Sequence, residues 1–325
     1  MKHLFVINPM AYKIRGKLNA ATESIEDFFN QNSRISHDIH VTRWERDAMG
    51  YVRRLAAKSG ELLRVHVFGG SGTVFEVLNG VIGLPNIQIA AYPMGRDNYF
   101  LRYFGADKIH LFSSIRNQVF SGGVTPIDAL RCGHNYGVAF GVVGIEAIAN
   151  RDGLEMLEKM TFLPEDLCYI WAAVKNMAKS KKISQKYSVN IDGQILDGDY
   201  VTILIANGPC YGKDMSPAID AHPNDGILDF YLMNDMSRAK FISIVSTYVS
   251  GGYEKLPKFI SHYRGSKISI ASDSFICVSV DGETFYENSI EYEIAPYAID
   301  FVCPDGIDAD KVPRRYGRPD NEVKG

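Results

Sequence analysis

The residues with the clearest chemical potential lie in one run, Val65-His66-Val67-Phe68-Gly69-Gly70-Ser71-Gly72-Thr73-Val74-Phe75-Glu76-Val77-Leu78-Asn79-Gly80. An apolar strand gives way to a tight glycine turn and then to a helix. Glycines allow positive φ and close backbone approach, and the free N–H groups at the start of a helix, at the positive end of its dipole, attract an anion. The chemistry on offer is the binding of a phosphate. A Rossmann reading fits Gly70 and Gly72 but puts Phe75 where the third glycine belongs. A Walker-type loop fails, because no Gly-Lys-Ser/Thr follows the turn and Gly16-Lys17 is followed by Leu18 without the upstream glycine. A turn that needs glycine for packing alone is the plainer alternative.

Asp281-Gly282-Glu283 lies between β-compatible segments, as does Asp192-Gly193. Each reads first as a two-residue hairpin turn and only then, for the former, as a pair of working acids. His222 precedes Pro223 in a loop, and a lone histidine is not a zinc site. The five cysteines, Cys132, Cys168, Cys210, Cys277 and Cys303, are scattered and show no Cys-x-x-Cys spacing, so the chain reads as a reduced, cytosolic protein. Lys179-Ser180-Lys181-Lys182 reads as the solvated end of a helix before it reads as a contact for anionic lipid. Tyr169, Trp171 and Met177 read as core or interdomain packing before an acyl pocket.

The elements that must position these groups change rhythm along the chain. Strands are expected at Leu4 to Ile7, Ser36 to Val41, Arg64 to Phe68 and Ile87 to Tyr92, alternating with helices at Leu18 to Phe29, Asp47 to Lys58 and Val74 to Asn79. That alternation predicts an α/β layer with a mostly parallel sheet. Beyond Gly122-Gly123-Val124-Thr125-Pro126 come short strand-like runs, Asp128 to Arg131, Tyr136 to Val143, Lys186 to Ile191, Tyr200 to Ala206 and Ile227 to Met233, with one helical interval at Leu167 to Lys179. The expected division is an α/β domain over 1–125 and a β-rich domain over 126–302. The polar tail 303–325 either packs back on the first domain or frays.

With 325 residues, two folded units are the length prior. Thirty-five Lys and Arg against 38 Asp and Glu leave a net charge of -3, which disfavours a nucleic-acid binder held by bulk charge. The amino terminus enters the first strand without a charged leader, and no run reaches the roughly 18 to 20 apolar residues of a spanning helix. Any membrane contact is therefore expected to be peripheral.

Beyond the glycine turn and Glu76 to Gly80, the chain carries Asn8-Pro9, Thr42 with Ala48, Pro93-Met94-Gly95-Arg96-Asp97-Asn98, Ala206-Asn207-Gly208, Asp225-Gly226-Ile227-Leu228-Asp229 and Asp281-Gly282-Glu283. In order and spacing this set resembles the diacylglycerol kinase catalytic domain family, which includes bacterial lipid kinases and sphingosine kinases and is related to NAD kinases. The family signature is Gly-Gly-Asp-Gly-Thr followed by Glu-Val-Asn-Gly. The resemblance implies a Rossmann-like NAD kinase/diacylglycerol kinase-type α/β domain, a carboxy-terminal β-sandwich domain and an active site in the cleft between them. It implies ATP and Mg2+ as cofactors and a lipid alcohol such as diacylglycerol as acceptor, with a peripheral approach to the inner membrane face and a homodimer compatible with it.

By the same resemblance Asn8, Thr42, Gly69, Gly70, Ser71, Gly72, Thr73, Gly95, Arg96 and Asn98 would form the nucleotide site. Asp281 or Glu283 would be the base or the magnesium-linked carboxylate. The Asp225 carboxylate, with main-chain oxygens near His222 and Ile227, would hold a second, structural cation, for which magnesium suits the hard oxygen donors.

The departures concentrate in the nucleotide site. Ser71 replaces the signature aspartate, Phe75 a polar residue, and Ala11-Tyr12 a serine and a glycine, while Arg96, Asp97 and Tyr99 alter the second loop. A serine hydroxyl cannot supply a carboxylate's charge. Two expectations follow: a lipid kinase in which Asp97, Asp281 or Glu283 carries the missing function, or a kinase-like protein that binds nucleotide or lipid with impaired turnover. The dinucleotide chemistry of the related NAD kinases is a third.

Overall fold

A computed structural model of the chain describes residues 1–96, 98–159, 168, 171–172, 175–176, 182–211 and 215–307. The first part alternates as the periodicity predicts: β1 (Lys2–Ile7), α1 (Leu18–Gln31), β2 (His37–Val41), α2 (Asp47–Ala56), β3 (Leu63–Gly69), α3 (Ser71–Val81) and β4 (Ile87–Pro93). The strands pair in parallel in the order β2-β1-β3-β4. Parallel strands covered on both faces read as unbroken apolar runs, and β3 is buried throughout. Leu4, Val6, Val65 and Val67 pack against α2 and α3, whereas Phe5, Ile7 and Phe68 pack against Ile25 and Phe29 of α1. Two short helices follow, α4 (Tyr99–Arg102) and α5 (Ile115–Phe120).

The second part is built from β5 (Val124–Cys132), β6 (Asn135–Gly137), β7 (Phe140–Gly144), α6 (Ile145–Lys159), β8 (Gln185–Ile191), β9 (Gln194–Ile195), β10 (Gly198–Ala206), β11 (Leu228–Asn234), α7 (Arg238–Val249), β12 (Ile260–Gly265), β13 (Lys267–Val280) and β14 (Glu283–Val302). Both Asp-Gly pairs form the expected hairpins. Asp192 and Gly193 have φ of 46° and 93°, and Asp281 and Gly282 have 47° and 92°, the positive pair that matches strand twist. One apolar core contains Val189, Ile203, Phe230, Ile268 and Val278, and a second, against α6 and α7, contains Val142, Leu204, Tyr231, Phe241 and Tyr248.

Several elements differ from the sequence expectation. The single strand expected over Tyr136 to Val143 is two, because the N–H groups of residues 138–140 donate to the Asp281 carboxylate. The helical interval at Leu167 to Lys179 lies largely outside the described residues, and Trp171, expected in packing, is exposed. Tyr169 and Met177 are outside them, as are Lys179 to Lys181. α6 and α7 were not expected; they alternate with strands only loosely, and the tertiary core supplies the face they bury.

Ten strands lie on one hydrogen-bonded path, β12-β11-β10-β7-β13-β14-β4-β3-β1-β2, from which β5, β6, β8 and β9 branch. β14 crosses between the layers. Its residues Tyr292 to Ala295 face the second part through β5, and Asp300 and Phe301 then run parallel to β4. Ile127, Ala129, Ile299, Phe301 and Cys303 thereby enter the α/β core. Cys303 bonds Gly123 and Ser121 through its backbone, and Ile307 packs on the same core, so the described start of the tail lies back on the first part.

Candidate active site

The glycine turn has the geometry an anion needs. A Cβ on Gly69 would lie 2.3 Å from the Thr73 Cβ, so only glycine lets β3 turn into α3 at that point. Gly70 is the N-cap, and its carbonyl accepts from the N–H groups of Thr73 and Val74 at 3.1 Å each. The Ser71 and Gly72 N–H groups have no acceptor among the described residues. Asn8, after β1, donates to Thr73 Oγ1 at 3.0 Å and accepts from the Met10 N–H at 2.9 Å, which ties two strand ends together.

The second loop closes on the first. A Cβ on Gly70 would touch the Gly95 Cα at 3.4 Å, and the Asn98 Oδ1 accepts from the Gly95 N–H at 3.2 Å. A cleft opens here, lined by Gly69, Gly70, Ser71, Val74, Asn98, Tyr99 and Asp281 among others. Arg96 is exposed, its guanidinium 5.0 Å from the centre of the Tyr12 ring. Thr42 bonds the Ile7 carbonyl through its N–H at the neighbouring strand end. Asp97 lies outside the described residues.

The β13–β14 hairpin forms the opposite wall. Asp281 is buried, and its two carboxylate oxygens accept from the N–H groups of Val138, Ala139 and Phe140 at 2.6, 3.0 and 3.0 Å. Burial pushes its pKa up, against the pull of those three donors. Its carbonyl accepts from the Tyr99 hydroxyl at 3.1 Å. Asp281 thus binds the second part to the wall of the cleft with no oxygen left over.

Glu283, two residues on, is exposed, and its carboxylate has no hydrogen-bond partner among the described residues. A Cβ on Gly72 would lie 3.8 Å from its Oε1. Partial desolvation raises its pKa, assisted by the negative charges of Glu45, Glu76 and Asp281 and opposed by Arg46. The two acids read as equivalent in the sequence are therefore physically different.

The remaining signature residues join elements. Glu76 accepts from the backbone N–H groups of Arg46 and Ala48 at 3.0 and 3.1 Å and so caps α2 from α3. Asn79 accepts from the Tyr136 N–H and donates to its carbonyl, both at 2.8 Å, copying a strand pair across the two parts. Phe75 packs on the second part's core instead of filling the cleft, and Tyr12 is exposed. Sequence reasoning quoted Glu76 and Asn79 within a motif without a role, and it missed Tyr99 as a tether, Arg46 and Asp128. Of these only Asn79, a polar residue in an apolar helix, carried a local signal.

The expected second metal locus has a different partner. Asp225 Oδ2 accepts from Arg264 Nη2 at 2.7 Å and Oδ1 from the Ile227 N–H at 3.2 Å. Arg264 also reaches Asp229, which is completely buried and bonds His262 at 2.6 Å. His222 turns to the Tyr103 hydroxyl, 3.5 Å away. Both Asp225 oxygens thus have protein partners and its charge is met by a guanidinium, while no group of three metal-ligating side chains occurs among the described residues.

Comparison with known proteins agrees with this anatomy. Residues 2–132 match the model of the diacylglycerol kinase catalytic domain, and residues 140–303 match that of the YegS C-terminal NAD kinase beta sandwich-like domain. A Staphylococcus aureus (strain MRSA252) protein named "putative lipid kinase" is 28% identical over 267 residues, which is 81% of this chain and 85% of that one. A crystal structure titled as a "putative diacylglycerol kinase" from Bacillus anthracis str. Sterne is similar at a TM-score of 0.70 and 20% identity, covering 94% of this chain and 98% of that one. A second structure, titled as a diacylglycerol kinase from the same strain, has a TM-score of 0.67 at 19% identity and the same coverage. The chain belongs to the diacylglycerol kinase catalytic domain family of lipid kinases, in the form that carries a YegS-type β-sandwich at its carboxy-terminal end.

Proposed function

We propose that this family member uses ATP to phosphorylate a hydroxyl of diacylglycerol or a similar lipid alcohol. One observation carries the reading: the N–H groups of Ser71 and Gly72, without an acceptor among the described residues, start α3 beside the cleft, and the Glu283 carboxylate lies next to Gly72. The nucleotide's phosphates lie against Gly70 to Thr73 and the Gly95 loop, held in register by Asn8 and Asn98. Glu283 accepts the acceptor hydroxyl's proton as the oxygen attacks the γ-phosphorus and the bond to the β,γ-bridging oxygen breaks, releasing ADP; partial desolvation raises the pKa of Glu283 toward that of a working general base. Asp281 acts as a strut that sets the position of Glu283. Magnesium bound with the nucleotide supplies charge neutralisation at the phosphate oxygens, and the Glu283 carboxylate fits such a cation as a hard oxygen donor.

A lipid alcohol is an acceptor met at a membrane surface, and no helix among the described residues is long and apolar enough to cross a membrane. Ser71 supports a second reading, a nucleotide- or lipid-binding protein with impaired turnover, because a neutral hydroxyl stands where the family carries an acid. Incubation with labelled ATP, magnesium and a panel of lipid alcohols in mixed micelles separates the two. Label is expected in a lipid product, with Glu283→Gln lowering the rate by about 10²-fold or more while ATP affinity is retained. No transfer by a protein that binds ATP, with transfer gained on Ser71→Asp, establishes the second reading instead.

A further inference from the structure

Tyr99 opens α4, one residue after Asn98, at a position where the second loop departs from the family pattern. Its half-buried ring packs against the core of the first part and also against the second-part core beside α6 and α7. The ring stands edge-on to Phe140, with centroids 5.7 Å apart. Tyr99 also lines the cleft, in company with Gly70, Ser71 and Asp281. One side chain therefore touches both cores and the cleft between them.

The hydroxyl completes the connection. It donates to the Asp281 carbonyl at 3.1 Å. The rest of Asp281 is held inside the second part: its N–H donates to the Phe140 carbonyl at 2.9 Å, and its carboxylate takes the N–H groups of residues 138–140. From Asp281, at φ 47°, the hairpin turns through Gly282 to Glu283. On the other side of Tyr99, the Asn98 side chain holds the Gly95 N–H at 3.2 Å, and the Gly95 Cα would lie 3.4 Å from a Cβ on Gly70. A line of contacts thus runs from Gly70 through Gly95, Asn98, Tyr99 and Asp281 to Glu283, whose Oε1 would lie 3.8 Å from a Cβ on Gly72. The line closes around the cleft, and at the Tyr99 hydroxyl it passes from the first part to the second.

We propose that Tyr99 is a positioning residue: it couples the Gly95 loop to the β13–β14 hairpin and so sets the distance from the glycine turn to the Glu283 carboxylate. The inference rests on the kinase reading above and adds to it a residue for which the family signature has no counterpart. Displacing a reacting group by a fraction of its contact distance slows the chemical step while leaving ground-state binding of the nucleotide in place. Phenylalanine at this position keeps the ring on both cores and removes only the hydroxyl.

The test measures lipid phosphorylation, ATP affinity by calorimetry and Tm for the full chain as wild type, Tyr99→Phe, Glu283→Gln and the double variant. Tyr99→Phe is expected to lower kcat about tenfold, with the ATP Kd and Tm of wild type. In the Glu283→Gln background it is expected to have no further effect, because the two residues act through one carboxylate. An unchanged kcat in Tyr99→Phe overturns this inference alone. An equal fall in both backgrounds also overturns it, by separating Tyr99 from Glu283. A joint fall in kcat, ATP affinity and Tm assigns the hydroxyl a merely structural role, with the same consequence. A wild type that binds ATP and transfers nothing to any lipid alcohol removes the kinase reading itself, and the inference with it.

Discussion

Glu283 and Asp281 stand two residues apart on one hairpin, yet the Asp281 carboxylate is held by three backbone N–H groups and that of Glu283 by none among the described residues. The difference lies in local hydrogen bonding and not in chemical type. A third acid, Glu146 at the start of α6, shows the same dependence on surroundings. Hydroxyls of Tyr211, Thr202 and Tyr248 reach its carboxylate at 3.1, 3.2 and 3.3 Å, and desolvation pushes its pKa up to about 7. The folded state therefore holds this proton more tightly than the unfolded chain. Stability contributed by the neutral acid is present below the unfolded value near 4.5 and is lost as pH rises through about 7. The loss is up to about 3 kcal/mol at one pKa unit per 1.36 kcal/mol. Glu146→Gln is expected to flatten stability over that window, as read from urea midpoints between pH 4.5 and 8; an unchanged slope refutes the assignment.

At the scale of elements, α3 organises its surroundings from both faces. Its first turn presents the Ser71 and Gly72 N–H groups proposed to take a phosphate, Glu76 caps α2, and Asn79 pairs with Tyr136. Gly80 lets it lie against α2, since a Cβ there would come within 2.7 Å of the Met49 carbonyl oxygen. Gly80→Val is expected to cost about 2 kcal/mol by overpacking and to lower Tm. Because α2 then moves off α3, the Glu76 bonds to the Arg46 and Ala48 N–H groups loosen too. Retained Tm in the valine variant counts against the close packing.

The whole molecule is joined through β5 and β14. At the irregularity between Ala295 and Ile299, the completely buried Asp128 accepts from the Tyr297 N–H at 2.8 Å and the Gly226 N–H at 2.7 Å. Asn207 donates to the Asp128 and Val138 carbonyls at 3.0 and 2.8 Å. Only the acceptor is fully buried, so losing these two part-buried bonds in Asp128→Ala is expected to cost about 1–3 kcal/mol. The loss falls at the seam between the cores. Scanning calorimetry is expected to show one transition for wild type and two for Asp128→Ala, and a destabilised variant that still melts in one step refutes the seam.

The alternation of apolar runs with helical periods was sufficient to place β1 to β4 and the helices between them, because parallel strands buried on both faces leave a continuous hydrophobic record. The Asp-Gly hairpins and the glycine turn were legible for a similar reason: positive φ and close backbone approach select residue types locally. What tertiary structure alone decided were the partners. Nothing near Asp281 in the chain foretells that residues 138–140 consume its oxygens, nor that Arg264 meets the charge of Asp225, nor that Glu76 locks Arg46 from another helix. Those outcomes depend on groups 28 to 143 positions apart being brought within hydrogen-bond distance. Such contacts leave no period or spacing in the sequence, since only the folded chain sets which donor reaches which acceptor.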